Sequence, residues 1–161
     1  MSDITPDFIR QNEWANLAVI DACRGLTDEQ LDFTSEGLFG SIRATLGHIV
    51  SAETYYAQLL GQEATVWDDE DDPWPDWDGL ADLVRGASDA LVAAAAVAAD
   101  QRVRSGSGKW DIDAPVVVVQ AVHHGADHRS QINTLLTQQG LEPVGISSWG
   151  WGEDTGRMHP V

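Results

Sequence analysis

The architecture of this chain follows from residues 114–140, APVVVVQAVHHGADHRSQINTLLTQQG. Pro115 suits the first turn of a helix capped by Asp113, and Gly140 suits a helix end. Four consecutive valines favour a strand by propensity, but the apolar pattern continues in phase at three- and four-residue steps through Gln139. We therefore predict a long amphipathic helix over this stretch rather than a strand.

Three further helical patterns precede this one. The first runs from Thr5, its predicted N-cap, to about Gly25, and the second runs from a Ser41 cap to Gly61. The third spans about 79–101. The face predicted to point inward on the first helix contains Phe8, Asn12, Ala15, Ala18, Val19 and Ala22. Together the four patterns predict an all-α fold, a four-helix bundle.

The segments between the helices carry weaker signals. Trp67–Asp78 holds seven acids, three tryptophans and two prolines, which predicts a long acidic crossover between the second and third helices. Its tryptophans are expected to pack it onto the bundle, with a lid over a site as the alternative. Ser105–Gly108 is predicted to be a flexible loop, Lys109–Asp113 a short extended piece, and the tail after Pro143 irregular.

Composition and charge narrow the classes of function. The chain of 161 residues suits one domain (1–161), and 9 Lys+Arg against 26 Asp+Glu give a formal net charge of −17. Because nucleic-acid and anionic-lipid binding depend on basic residues, we expect neither a nucleic-acid nor a membrane partner. The single cysteine, Cys23, is expected in the core. No segment has the pattern of a secretory signal or a membrane span, so we expect a cytoplasmic protein.

Three histidines fall within six residues, 123-HHGADH-128, on the predicted fourth helix. At about 100° per residue, His124 and His128 lie within the apolar stripe, whereas His123 and Asp127 lie about 100–140° from His128 and off the stripe. Two inward imidazoles are costly to bury without partners, and a spacing of four residues lets them share a metal ion. The pattern therefore favours a metal site over hydrogen-bonded core histidines.

A third ligand has to come from another helix. His48 lies at the edge of the second helix's apolar stripe, about 80° from its centre, whereas His159 lies in a tail without fixed geometry. Three imidazoles leave a coordination position open, as catalytic metal sites do. Imidazole suits Zn, Ni, Fe or Cu, of which we expect Zn or Ni.

The chain resembles the DinB/YfiT-like metalloenzyme superfamily. Two segments carry the resemblance: 41-SIRATLGHIVSAE-53, and 124-HGADHRSQ-131 followed by Leu135, Leu136 and Gly140. The order and spacing of the helices are similar over almost the whole chain. The resemblance implies a four-helix bundle in which His48, His124 and His128 hold a divalent metal ion. It also implies a homodimer, because related bundles are often dimeric.

The resemblance further implies a class of activity. Characterised relatives are described as thiol-dependent transferases or isomerases that use low-molecular-weight thiols such as bacillithiol or mycothiol. We therefore expect a metal-dependent thiol S-transferase with a small-molecule substrate and a low-molecular-weight thiol as cosubstrate. The alternatives are a hydrolase that uses a metal-activated water, and a bundle that binds a metal or a partner without chemistry.

Glu53 and Arg129 are the candidate catalytic residues. Glu53 lies near the inward face of the second helix, where it would support a ligating histidine, meet Arg129 or face a solvated groove. Asp127 is a weaker candidate for support or proton handling. Arg129 is a candidate for binding a carboxylate of the thiol, although a structural salt bridge is the favoured alternative.

Overall fold

The computed structural model describes residues 3–97 and 100–159, and helices dominate this part of the chain. The helices are α1 (Thr5–Cys23), α2 (Asp28–Leu31), α3 (Ile42–Leu59), α4 (Trp77–Val97), α5 (Ala114–Gln138) and α6 (Ser148–Asp154). One antiparallel sheet joins β1 (Arg102–Arg104) to β2 (Asp111–Asp113). The expectation of a mostly helical protein is confirmed.

The four long helices correspond to the four predicted patterns and pack against one another. Both α1 and α3 lie against α4 and α5. One apolar cluster contains Ile20, Ile49, Leu80 and Ile132, and a second contains Ile9, Leu60, Leu91, Val117 and Ala121. None of the described helices has an apolar stretch of the length needed to cross a bilayer.

The ambiguous valine run is helical, as predicted. Val117 and Val118 are buried, whereas Val116 and Val119 are exposed, so two neighbours face the core and their flanking residues face outward. This burial follows a helical period, because a strand would bury every second residue instead. The start of α5 at Ala114 lets the pattern extend without a break from the valines to His124 and His128.

One side-chain cap and two glycines set three of the predicted helix ends. Ser41 Oγ accepts a hydrogen bond from the Ala44 backbone N–H at 3.1 Å and begins α3. Gly61 (φ +75°) and Gly140 (φ +74°) follow α3 and α5 in the left-handed conformation that glycine adopts without strain. Asp113 is the N-cap residue of α5, as predicted, but makes no side-chain cap bond.

The start and the inward face of α1 differ from the prediction. Thr5 is already helical, and the N-cap is Ile4, which has no side-chain cap bond. Phe8 is 56% exposed, and Ile9 is buried in its place. The buried face is turned relative to the predicted one: it also contains Asn16 and Ile20, whereas Ala22 is exposed.

The region after α4 also differs from the prediction. The third helix was predicted to reach Gln101, but α4 ends at Val97, and residues 98–99 lie outside the described part. The predicted extended piece at 109–113 contains β2, which pairs with β1 through the connection 105–110. The tail after Pro143 is not wholly irregular, since Ser147 caps α6 by accepting from the Gly150 N–H at 3.2 Å.

Candidate metal centre

Three histidines from two helices converge on one point. His48 comes from α3, and His124 and His128 come from α5. The Nε2 atoms of His48 and His124 lie 3.0 Å apart, and one ring nitrogen from each of the three residues lies within 4.8 Å of the others. All three side chains are half-buried, so the cluster is reached from solvent.

The geometry of α5 explains which histidines take part. His124 and His128 are one helical turn apart and face α3, whereas His123 is 70% exposed and lies 3.3 Å from Asp127. The predicted division of the two pairs, one inward and one outward, is confirmed. His159, near the end of the described chain, is exposed.

The cluster has the chemistry that a metal site needs. Burial, together with the neighbouring His128 and His48, lowers the pKa of His124 to about 4. Burial also lowers the pKa of His128. Metal ligation requires neutral imidazole, and two nitrogens bound tetrahedrally at about 2.0–2.1 Å lie about 3.3 Å apart. The donor set therefore suits a divalent ion.

Aromatic and amide side chains hold two of the imidazole rings. Phe39 stacks on His48 with ring centroids 4.2 Å apart and meets His128 edge-on at 5.0 Å. His128 Nδ1 lies 3.3 Å from Gln131 Oε1, and the same oxygen accepts from the Phe39 backbone N–H at 3.2 Å. Gln131 thus joins the chain just before α3 to the histidine pair on α5.

The segment 67–76, which we call the acidic loop, packs beside His48. Trp67 is buried, and Trp74 meets it edge-on with ring centroids 5.9 Å apart. A Cβ atom on Gly47 would lie 3.1 Å from Trp74, 3.3 Å from Trp67 and 3.4 Å from the Asp69 Cβ, so glycine allows the loop to approach α3. Asp69 Oδ2 lies 3.9 Å from His48 Nδ1. The tryptophans pack the loop onto α3, as predicted, and they also bring an acid to the histidines.

Glu53 and Arg129 belong to a buried polar network under α5. Glu53 Oε1 accepts from the side-chain amides of Asn12 and Asn16 at 2.7 and 2.8 Å. Arg129 Nη1 donates to the side-chain oxygens of the same two residues, at 2.7 Å to Asn12 and 2.5 Å to Asn16. The two asparagines therefore link the acid and the base through their amide groups.

Burial governs the electrostatics of this network. Glu53 is 1% exposed and Arg129 3% exposed. Burial raises the pKa of Glu53, while the two amides and Arg129 oppose the shift. Burial lowers the pKa of Arg129, and Glu53 opposes that shift. A solvated groove at Glu53 is therefore wrong. The hydrogen bonds of both side chains, within the described residues, run to asparagines and not to the histidines.

Gly125 makes room for the network directly beside the site. A Cβ atom there would lie 2.7 Å from Arg129 Nη1, 2.7 Å from Asn12 Oδ1 and 3.2 Å from Glu53 Oε1. Gly125 follows His124 in sequence, and Arg129 follows His128. The network therefore supports the same turn of α5 that presents the histidines.

Cys23 takes no part in the site. Its thiol is buried, as expected, and burial raises its pKa to about 12. A thiol held in its protonated form is a poor nucleophile and a poor metal ligand.

Sequence reasoning missed several residues around the histidines. Asn16 and Gln131 could have been found from helical spacing. Asn16 lies four residues after Asn12, and Gln131 lies three residues after His128. No sequence pattern indicates Phe39 or Asp69, because each lies in a loop and Asp69 is one of several consecutive acids. Only the packing of these loops onto α3 and α5 distinguishes them.

Comparison with known proteins identifies the family of this chain but finds no curated relative. Curated proteins contain no match to the chain. The family model for the DinB family matches residues 1–152, which include all four long helices and every residue of the histidine cluster. The chain therefore belongs to the DinB family.

Proposed function

We propose that this protein is a metal-dependent enzyme of the low-molecular-weight thiol S-transferase type, with His48, His124 and His128 as the metal ligands. The observation that carries the proposal is the set of three ring nitrogens within 4.8 Å of one another at a half-buried position. Membership of the DinB family supports it. Zinc and nickel are the proposed metals, because both accept three imidazoles and keep a position open.

The finer architecture belongs to the same proposal. The helices α1, α3, α4 and α5 form a four-helix bundle, and the acidic residues 67–78 cross over between its second and third helices. The protein acts on a small molecule as a homodimer. The packing of both α1 and α3 against α4 and α5 supports the bundle.

A divalent ion held by His48, His124 and His128 would supply the positive charge that lowers the pKa of a thiol. The protein's own residues prepare the place. Burial keeps His124 and His128 neutral, so they are ready to ligate near pH 7. Phe39 covers His48 on its stacked face and limits the access of water from that direction. The open side is left for the thiol and its electrophile.

The proposed transfer needs no redox partner. The thiolate sulfur forms a bond to the carbon of a halogenated substrate, and the carbon–halogen bond breaks. The halide leaves with the electron pair of that bond, and the proton of the thiol goes to solvent.

Glu53 and Arg129 act in this proposal as positioning residues rather than as groups that touch the thiol. Both side chains are buried, and their shared asparagines hold α5 against α1 and α3 at the turn that carries His124 and His128. The burial of Arg129 favours a structural role over the binding of a carboxylate. Asp127 is directed away from the cluster with His123.

Thiol-dependent turnover tests the function. The protein is freed of metal with a chelator, loaded with Zn²⁺ or Ni²⁺ and assayed with a panel of thiols and halogenated or epoxide electrophiles. We expect product only when thiol and metal are both present, and no product from His124→Ala. His123→Ala is the matched control, because it removes an exposed histidine from the same helix.

Other outcomes would assign the site differently. Hydrolysis of esters or amides by the loaded protein without thiol would favour a hydrolase that uses a metal-activated water. Metal binding with no turnover in either assay would favour a bundle without chemistry.

A further inference from the structure

The orientation of His48 leaves one of its ring nitrogens facing away from the cluster. Its Nε2 meets His124 Nε2 at 3.0 Å, on the side where the three histidines converge. Its Nδ1 faces the acidic loop, where Asp69 Oδ2 lies 3.9 Å away. An imidazole binds a metal through one nitrogen, and the other commonly donates its proton to a carboxylate or carbonyl.

We propose that Asp69 is a positioning residue for the metal centre: its carboxylate accepts the His48 Nδ1–H and so fixes the tautomer that presents Nε2 to the metal. This inference rests on the metal site of the proposed function. The acidic loop then has a specific role, which is to position His48 through Asp69. Asp69 is not proposed as a ligand, because it faces Nδ1 and lies outside the three-histidine group.

The packing of the loop holds Asp69 in this place. Trp67 donates from its backbone N–H to Thr54 Oγ1 at 3.3 Å and from its indole Nε1 to the Pro73 carbonyl at 3.2 Å, which ties the loop to α3 and to itself. The Asp69 Cβ sits against Gly47, the residue before His48. The side chain of Asp69 is 23% exposed, whereas Asp68, Glu70, Asp71 and Asp72 are all exposed. The packing of the loop thus distinguishes Asp69 from the exposed acids beside it.

His128 has a matching arrangement with a neutral partner. Its Nδ1 donates to Gln131 Oε1 at 3.3 Å, which leaves Nε2 as the nitrogen available to ligate. His124 differs, because its buried Nδ1 has no hydrogen-bond partner among the described residues. Two of the three rings therefore face a side-chain oxygen outside the cluster, a charged one at His48 and a neutral one at His128. The 3.9 Å separation at Asp69 exceeds a hydrogen bond, and the proposal therefore requires a small rotation of the carboxylate or a bridging water.

Metal affinity of the full-length protein tests the proposal. Zn²⁺ affinity is measured by competition with a chromophoric chelator for the wild type, Asp69→Ala, Asp69→Asn and Asp71→Ala. We expect Asp69→Ala to weaken binding by about 10–100-fold, as loss of an outer partner of a ligating histidine does. Asp69→Asn should fall between, since it loses the charge and keeps an acceptor. Asp71→Ala removes the same charge from an exposed position of the same loop and should change affinity less than threefold.

A second measurement reads the tautomer without metal. In the metal-free wild type at pH 8, ¹⁵N chemical shifts of the histidine rings should show His48 protonated on Nδ1. In Asp69→Ala the His48 signal should shift toward a mixture of the two tautomers, and in Asp71→Ala it should not. Thermal unfolding of each metal-free variant checks that the fold is retained.

Each contrary result has a distinct meaning. Equal losses of affinity in Asp69→Ala and Asp71→Ala would overturn the inference and leave only a general effect of loop charge. An unchanged tautomer together with unchanged affinity in Asp69→Ala would overturn it while the metal site stands. If the wild type binds no metal at all, both the inference and the proposed function fail.

Discussion

At the scale of single residues, the metal centre depends on which side of α5 an imidazole occupies. His124 lies 3.0 Å from His48, whereas the adjacent His123 is exposed beside Asp127. We expect His124→Ala to abolish metal binding and His123→Ala to retain it, because only the first removes a nitrogen from the cluster. Elemental analysis of protein purified without an affinity tag measures the bound metal. Loss of metal in the His123 variant alone would show that the assigned helix face is wrong.

The buried position of His124 also predicts a dependence of stability on pH. Its pKa is about 4 in the folded protein, whereas an unfolded imidazole titrates at about 6.5. Between these values the unfolded chain binds a proton that the folded chain does not. The free energy of unfolding of the metal-free protein should therefore fall as the pH falls through this window.

Urea unfolding at pH 7 and pH 4.5 measures this effect in metal-free protein. His124→Gln removes the titrating group, so the variant should lose less stability than the wild type between the two pH values. Equal losses in the two proteins would mean that His124 titrates normally in the folded state.

Gly125 is the residue on which the buried network depends most directly. An alanine there would place its Cβ 2.7 Å from Arg129 Nη1 and 2.7 Å from Asn12 Oδ1, distances that real Cβ atoms do not show. We expect Gly125→Ala to reduce the free energy of unfolding by about 1–3 kcal/mol despite its better helix propensity. Chemical denaturation measures the change.

Gly86 on α4 is the matched control for Gly125. It is also helical, but a Cβ atom there would meet nothing within 4 Å. Gly86→Ala should therefore stabilise the protein by about 0.5–1 kcal/mol through helix propensity alone. An unchanged free energy of unfolding in Gly125→Ala would indicate that the buried network rearranges with little loss of stability.

At the scale of elements, the contact between α3 and the acidic loop links packing to the metal centre. Gly47 allows Trp74, Trp67 and Asp69 to approach α3 at the residue before His48. We expect Gly47→Ala to displace the loop, because its Cβ would lie 3.1 Å from Trp74. The variant should bind Zn²⁺ more weakly and be cleaved faster at the exposed Glu70 by a glutamate-specific protease. Faster cleavage together with wild-type Zn²⁺ affinity in Gly47→Ala would show that the site does not depend on the position of the loop.

The elements also show how far local sequence signals reach. Caps and glycines predicted the start of α3 at Ser41 and the ends near Gly61 and Gly140, because these signals act within one turn of the chain. The pairing of β1 with β2 and the turn of α6 were missed. Two three-residue strands and a seven-residue helix are too short to give a periodic pattern.

At the scale of the whole molecule, nearly all basic side chains are paired with acidic side chains or buried. The arginines that pair with acidic side chains are Arg10, Arg24, Arg43, Arg85, Arg102, Arg104 and Arg157. Arg129 is buried, and Lys109 is exposed at the end of the hairpin. With a net charge of −17 and an acidic loop beside His48, the site has little to attract an anionic substrate.

This charge distribution predicts a preference among thiols if the proposed function holds. An uncharged thiol such as 2-mercaptoethanol should be used with a higher kcat/KM than the dianionic mercaptosuccinate, each corrected for its uncatalysed rate. Added salt should narrow the difference, because it screens the repulsion. A preference for the dianion at low salt would indicate a cationic subsite that the charge pattern does not predict.

The sequence by itself determined the helical elements, most of their ends and the face of α5 that carries His124 and His128. These properties depend on interactions between residues a few positions apart, which a periodic pattern records. Only the tertiary structure decided that Asn16 turns inward beside Asn12 and that the two join Glu53 to Arg129. It also decided that Phe8 lies outside and that Asp69 rather than another acid of its loop meets His48. The physical reason is that a buried polar group or a loop acid is stabilised by partners distant in sequence, and those partners are defined only once the helices have packed.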